Sequence, residues 1–284
     1  MAIHKAKVFE TLSDHFLLED DYWIDHEKDF EKPRTAFKEL IRVFQTYPLV
    51  KSCRGKKIEL DTATNLQHLD LDSVGKNADP ELNTLEFITG RPIGIKREYH
   101  GHQWQLRSYY KDTADLLKGV LTQLLAKIDD IKDFEELFQE VESTKNDREK
   151  ELKKTVLDPV YLMSINRKKK TLGFGRTCIY DFSLRAGYRY KVNKGTDRLL
   201  PSRYVYVHAR PATTFRILKE LGVFKNIPKN SKMVDTIEYD IIKDDFLPFT
   251  LNAVEIENFF CVMHAVVCWF DEKYYPQEKQ LNTK

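Results

Sequence analysis

The stretch Thr171-Leu172-Gly173-Phe174-Gly175-Arg176-Thr177 constrains this chain more than any other. Two glycines flank one large apolar residue, the basic run Arg167-Lys168-Lys169-Lys170 precedes them, and helical spacing follows from Thr177 to about Tyr188. A corner this tight needs glycine, because the backbone bends through conformations where a Cβ clashes. It also leaves backbone amides bare at the positive end of the next helix, which suits an anion. The residues expected to hold a nucleic-acid phosphate are Lys168, Lys169, Lys170, Gly173, Phe174, Gly175, Arg176 and Thr177, with Arg185 and Arg210 as further cations. An ordinary glycine-rich turn between helices fits the same letters.

Charge supports the first reading. Residues 164–216 hold thirteen Lys/Arg against Asp181 and Asp197, a local +11; with a net +2 overall, the rest carries about −9. One basic region on an acidic remainder is the footprint of a phosphate-backbone binder, double-stranded DNA first. A length of 284 residues allows one large domain or two modest ones. No apolar run approaches the roughly 20 residues of a membrane helix, and Met1–Lys7 lacks the apolar core of a signal peptide. Cys53, Cys178, Cys261 and Cys268 have no CxxC spacing and no neighbouring His pair, so they read as reduced thiols of a cytoplasmic protein.

Periodicity predicts a mainly α chain. Residues 1–20 read as a helix with Val8, Leu12, Phe16 and Leu17 on one side, and Asp20–His26 as an acidic-aromatic link. Pro33 opens a helix through Gln45. Residues 50–110 read as less regular, with a few short strands. Helices are expected at 112–128 and 132–148, and a domain boundary in the charged segment 144–154, dividing 1–150 from 151–284; one long solvated helix would look the same. A short helix at 158–165 leads into the glycine corner. Tyr204–His208 reads as extended, Pro211 as the start of a helix ending before Gly222, and Asn252 with Glu255 as a capping box opening a buried helix to about Asp271.

The order Gly173-Phe174-Gly175-Arg176-Thr177, Tyr180-Asp181-Phe182, Leu184-Arg185-Ala186-Gly187, Leu200-Pro201 and Tyr204-Val205-Tyr206-Val207-His208-Ala209 resembles the helix-hairpin-helix DNA glycosylase superfamily. It is nearest in character to the alpha-glutamyl/putrescinyl thymine pyrophosphorylase-like proteins. The resemblance spans about residues 160–270. It implies a helical bundle carrying a helix-hairpin-helix, and an enzyme that flips a natural or modified base and acts on it, in phage defence or DNA hypermodification. Two departures stand out. Tyr206 occupies the place of the superfamily's catalytic Asp, and Arg176-Thr177 the place of its lysine.

Breaking an N-glycosidic bond builds positive charge on the sugar, so a carboxylate is needed beside it. The candidates are Asp181, after the corner, and Glu257, on the last helix. Asp181 is equally placed to pair with Arg185 at i+4. Tyr204, Tyr206 and His208 are candidates for a base pocket, or for a half-buried strand. His26, His100 and His102 are too scattered to read as a metal site, and no nucleotide-cofactor loop occurs, so no metal or cofactor is expected. Two other readings remain open: a non-catalytic helix-hairpin-helix nucleic-acid-binding protein, and a metal-dependent nuclease with its site in 50–110.

Overall fold

The computed structural model describes residues 2–53, 56–60, 111–155 and 176–274. The glycine corner at 171–175, the helix expected at 158–165 and most of the segment 50–110 lie outside the described residues. Contacts divide the chain into two units, 1–65 with 202–284, and 66–201. Among the described residues the chain is mainly helical, with two antiparallel two-stranded sheets.

The first unit contains α1 (Ala2–His15), α2 (Tyr22–His26), a 3₁₀ turn Glu27–Glu31 and α3 (Pro33–Thr46). A hairpin follows, β1 (Leu49–Cys53) with β2 (Lys56–Leu60), its register pairing Leu49 with Leu60 and Cys53 with Lys56. The chain re-enters this unit with β3 (Tyr204–Tyr206), α7 (Arg210–Leu221), β4 (Thr236–Glu238), the short α8 (Tyr239–Ile242), a 3₁₀ turn Lys243–Phe246, α9 (Ala253–Val262) and α10 (His264–Tyr274). The second unit contains α4 (Lys111–Lys127), α5 (Phe134–Thr155) and α6 (Arg176–Lys194), with α5 packed on both neighbours.

Local chemistry explains several ends. Asn252 Oδ1 accepts the amides of Val254 and Glu255, both at 3.0 Å, while Glu255 Oε2 accepts that of Asn252 at 2.7 Å, the capping box expected from sequence. Pro33 and Pro211 open α3 and α7, where a missing amide costs nothing. Gly222, at φ 70°, turns the chain out of α7 and returns its amide to Leu218 and Lys219.

Two expectations, on the first and last helices, are corrected, and the segment between takes one of the two forms left open for it. The first helix stops at His15, so Val8, Leu12 and Phe16 are buried but Leu17 is about half exposed, its amide spent on Pro48 O at 2.8 Å. The charged segment 144–154 is helix, the extension of α5, and Lys145 and Glu149 within it form a buried ion pair at 2.6 Å. The last helix is broken at Met263, the axes of its two halves meeting at 63°. The cause is a side chain in the ladder. Thr214 of α7 donates its hydroxyl to Phe260 O at 2.7 Å, the acceptor an unbroken helix would offer to the amide of residue 264.

The first unit's core is aromatic. Phe37, Phe44, Phe246, Phe259 and Phe260 are essentially sealed from solvent, and Phe37 meets Phe246 at 5.4 Å and Phe259 at 5.8 Å, edge to face. In the second unit Phe134 meets Tyr180 at 5.8 Å, over Leu137, Val141, Phe182 and Leu184. There, α6 runs past the segment after it so closely that a Cβ on Gly187 would stand 2.0 Å from Leu199 O. Backbone offers no escape, so Gly187→Ala is expected to cost about 3 kcal/mol through overpacking, with urea denaturation as the measure; a loss below half of that would mean the approach relaxes freely.

Candidate nucleic-acid interface

The residues singled out from sequence fall in both units. Arg176 is the first residue of α6, half exposed, with its guanidinium 5.7 Å from the Phe138 ring and Nε 3.8 Å from Glu142. That helix has no acidic residue in its first turn. Acids normally favour that position because the helix start carries partial positive charge. An arginine there instead adds to that charge. Thr177 beside it is partly exposed. Asp181 is partly exposed on the same helix, and Arg185, one turn on, is buried at 6% exposure. Lys168, Lys169, Lys170, Gly173, Phe174 and Gly175 lie outside the described residues.

The other candidates belong to the first unit. β3 pairs with β4, with Tyr206 opposite Thr236. Tyr206 and His208 are buried, at 4% and 8% exposure, their rings 5.9 Å apart. Tyr204 is partly open, with the Arg203 guanidinium 5.0 Å over its ring. Of the three, only Tyr204 therefore presents a face to solvent for stacking. Arg210 is exposed at the start of α7, behind Ala209 at φ 52°. Glu257 is buried at 7% on α9, and α9 packs against β3. The two carboxylate candidates thus belong to different units, Glu257 to the first and Asp181 to the second.

The cations of the second unit are partly engaged. Lys191 pairs with Asp197 at 3.0 Å and Lys194 with Asp129 at 3.1 Å, both on exposed surface. Such exposed pairs are screened by solvent and salt and hold their partners weakly. Arg198 donates to Asp129 O at 3.0 Å and to the Tyr190 hydroxyl. Lys194 holds the Asp129 carboxyl below the usual carboxylate range, with Tyr190 adding to it.

Two polar clusters in the first unit escaped the sequence reading. His26, Asp29 and Glu39 place ligand-type atoms within 4.8 Å of one another. Arg42 is the cation of that group. It donates to Glu39 at 2.7, 2.9 and 3.0 Å and to His26 Nε2 at 2.9 Å, while Tyr22 donates to Glu39 at 3.1 Å. Because Arg42 can only donate, His26 carries its proton on Nδ1 and gives it to Asp29 Oδ2 at 3.0 Å. Burial, then the Glu39 charge, pushes the Tyr22 hydroxyl well up. The sequence signal was the i, i+3 pair Glu39 and Arg42 on an otherwise apolar face.

The second cluster surrounds the break between α9 and α10. Thr214 spends its single proton on a carbonyl, so His264 Nδ1, 3.3 Å away, donates to its oxygen. Burial, then the Arg210 charge, lowers the His264 pKa. Comparison with protein-family models, curated proteins and solved structures finds no match for the chain.

Two outcomes follow from these clusters. Arg42→Ala leaves Glu39 buried without its cation and is expected to cost about 3 kcal/mol, read from denaturant midpoints; Lys38→Ala on the same helix is the control. His264 has a lower pKa folded than unfolded, so the unfolded chain takes up its proton first. Stability from this group is complete above the ordinary histidine range and falls as pH drops through it towards the lowered value. His264→Gln should flatten that limb of a Tm-versus-pH curve.

Proposed function

We propose that this chain binds a nucleic-acid backbone, double-stranded DNA first, through a helix-hairpin-helix whose second helix is α6, and that it acts on a flipped base in the manner of a DNA glycosylase-like enzyme. One observation supports the binding most: α6 begins with an exposed arginine and no acid in its first turn, directly after Gly173-Phe174-Gly175. Glu142 reaches Arg176 at 3.8 Å, but the helix start has no acid of its own, and a positive helix end is favourable beside an anion. The basic excess of residues 164–216 supports the same reading, since phosphate contacts dominate nucleic-acid affinity.

For chemistry, Asp181 and Glu257 are the carboxylates in reserve, one partly exposed and one buried. Each would serve to steady the positive charge on the sugar or to orient water. A second reading is binding without catalysis. It is favoured by the burial of Tyr206 and His208, together with the tyrosine where the superfamily has its acid.

Affinity for a duplex should fall steeply with salt. Arg176→Ala should weaken binding at every sequence and reduce the log–log salt slope by about 1, measured by fluorescence anisotropy. Gly173→Ala and Gly175→Ala should weaken it too with the circular dichroism unchanged; full affinity in all three variants removes the corner from the account. Abasic-site formation on natural and hypermodified DNA, lost in Asp181→Asn or Glu257→Gln, separates the enzyme from the binder. Tight binding with no product selects the second reading.

A further inference from the structure

In the first unit a cleft of about 120 Å³ opens between the start of α3 and the turns that follow α7 and α8. Arg34, Phe37 and Lys38 line it from α3, Lys225 from the turn after α7, and Asp244 and Asp245 from the 3₁₀ turn Lys243–Phe246. From this convergence we infer that the cleft is a binding site for a phosphomonoester, separate from the proposed nucleic-acid corner.

Three cations and two carboxylates line one small space, which leaves a formal excess of one positive charge. Among the described residues none of the three has a carboxylate partner within 4.0 Å. Asp245 stands closest to that role, but it is buried at 7% exposure and both its oxygens accept the backbone amide of Lys225, at 3.1 and 3.3 Å. Burial raises its carboxyl pKa, opposed by the Lys225 amide bond and then by the Lys225 and Arg34 charges, so Asp245 answers part of the charge of those two cations. Asp244 is exposed at the rim. The start of α3 adds to the field: its 14 residues have no side-chain cap at Lys32 and no acid in the first turn, where Arg34 sits.

The class of ligand follows from charge and size. A phosphomonoester carries about −1.5 to −2 charge and three strong acceptor oxygens near neutral pH, enough to answer three donors arriving from two elements. A carboxylate carries half of that charge. The cleft, at about 120 Å³, is well below the roughly 300–1,000 Å³ that encloses a whole drug-sized molecule. It therefore seats the phosphate, and the body of the ligand lies outside. A free metabolite or the 5′ end of a nucleic-acid strand would present the same group.

The test is thermal unfolding of the full chain in inorganic phosphate against sodium chloride at matched ionic strength. A saturable rise in Tm specific to phosphate is expected. In Arg34→Gln/Lys38→Gln it should need about tenfold more phosphate or more, the loss of charge-assisted hydrogen bonds, while Lys28→Gln/Lys132→Gln keeps the parent response. Broadening of the phosphate ³¹P resonance by the parent, and not by the first double variant, reads binding directly and does not depend on how stable a variant is. An equal response to chloride, or an unaltered response in Arg34→Gln/Lys38→Gln, overturns the assignment. Given the phosphate response, tighter binding of a 5′-phosphorylated oligonucleotide than of its 5′-hydroxyl form identifies a strand end as the source. Equal binding of the two identifies a free phosphomonoester.

Discussion

The interaction on which the first unit depends is the edge-to-face packing of phenylalanines around α9. Phe259 meets Phe37, Phe44 and Phe246, and Phe260 meets Phe215 and Phe246, with centroids 5.4–6.2 Å apart. Each contact adds about 0.5–1.5 kcal/mol beyond the area it buries. Its larger consequence is positional. Phe37 comes from α3 and Phe215 from α7, while Phe246 lies in the 3₁₀ turn before α9. Four segments from both ends of the sequence are fixed by one cluster. The Arg34–Lys38 face of α3, β3 and the start of α7 are each carried by elements that this cluster or α9 holds.

Two of the polar groups in this interior, Glu39 and Thr214, sit in hydrogen-bonded sets. Glu39 is tolerated because Arg42 and Tyr22 saturate its oxygens. Thr214 is tolerated because its hydroxyl finds Phe260 O, and that bond bends the last helix.

The sequence made much of the fold legible where local rules decide. Pro33, Pro211, Gly222 and the Asn252–Glu255 box carry their own geometry, and the apolar stripes of α3, α5 and α9 have a clear period. Failures came where a distant group intervenes. Thr214 lies 46 residues from the carbonyl it takes, so no window around Met263 contains the reason for the break. Pro48 does the same to Leu17. Of the site, α6 and the lack of an acid in its first turn were readable because charge and helical spacing are local. The burial of Tyr206 and His208 depends on β4, about thirty residues later, and the cationic cleft on Lys225 meeting Arg34, neither of which periodicity reports.

The pairing of α1 with α10 has a consequence for biosynthesis. These helices lie at opposite ends of the chain, yet they pack together, with Lys7 Nζ 4.5 Å over the Trp269 ring. The first unit is discontinuous in sequence, and residues 66–201 are made before its second half exists. On the ribosome α1 must wait, its Val8–Leu12 face without its final neighbour, until α10 has been made. Folding order is thus imposed by the thread itself, and a prematurely released chain leaves α1 as the segment a chaperone would meet.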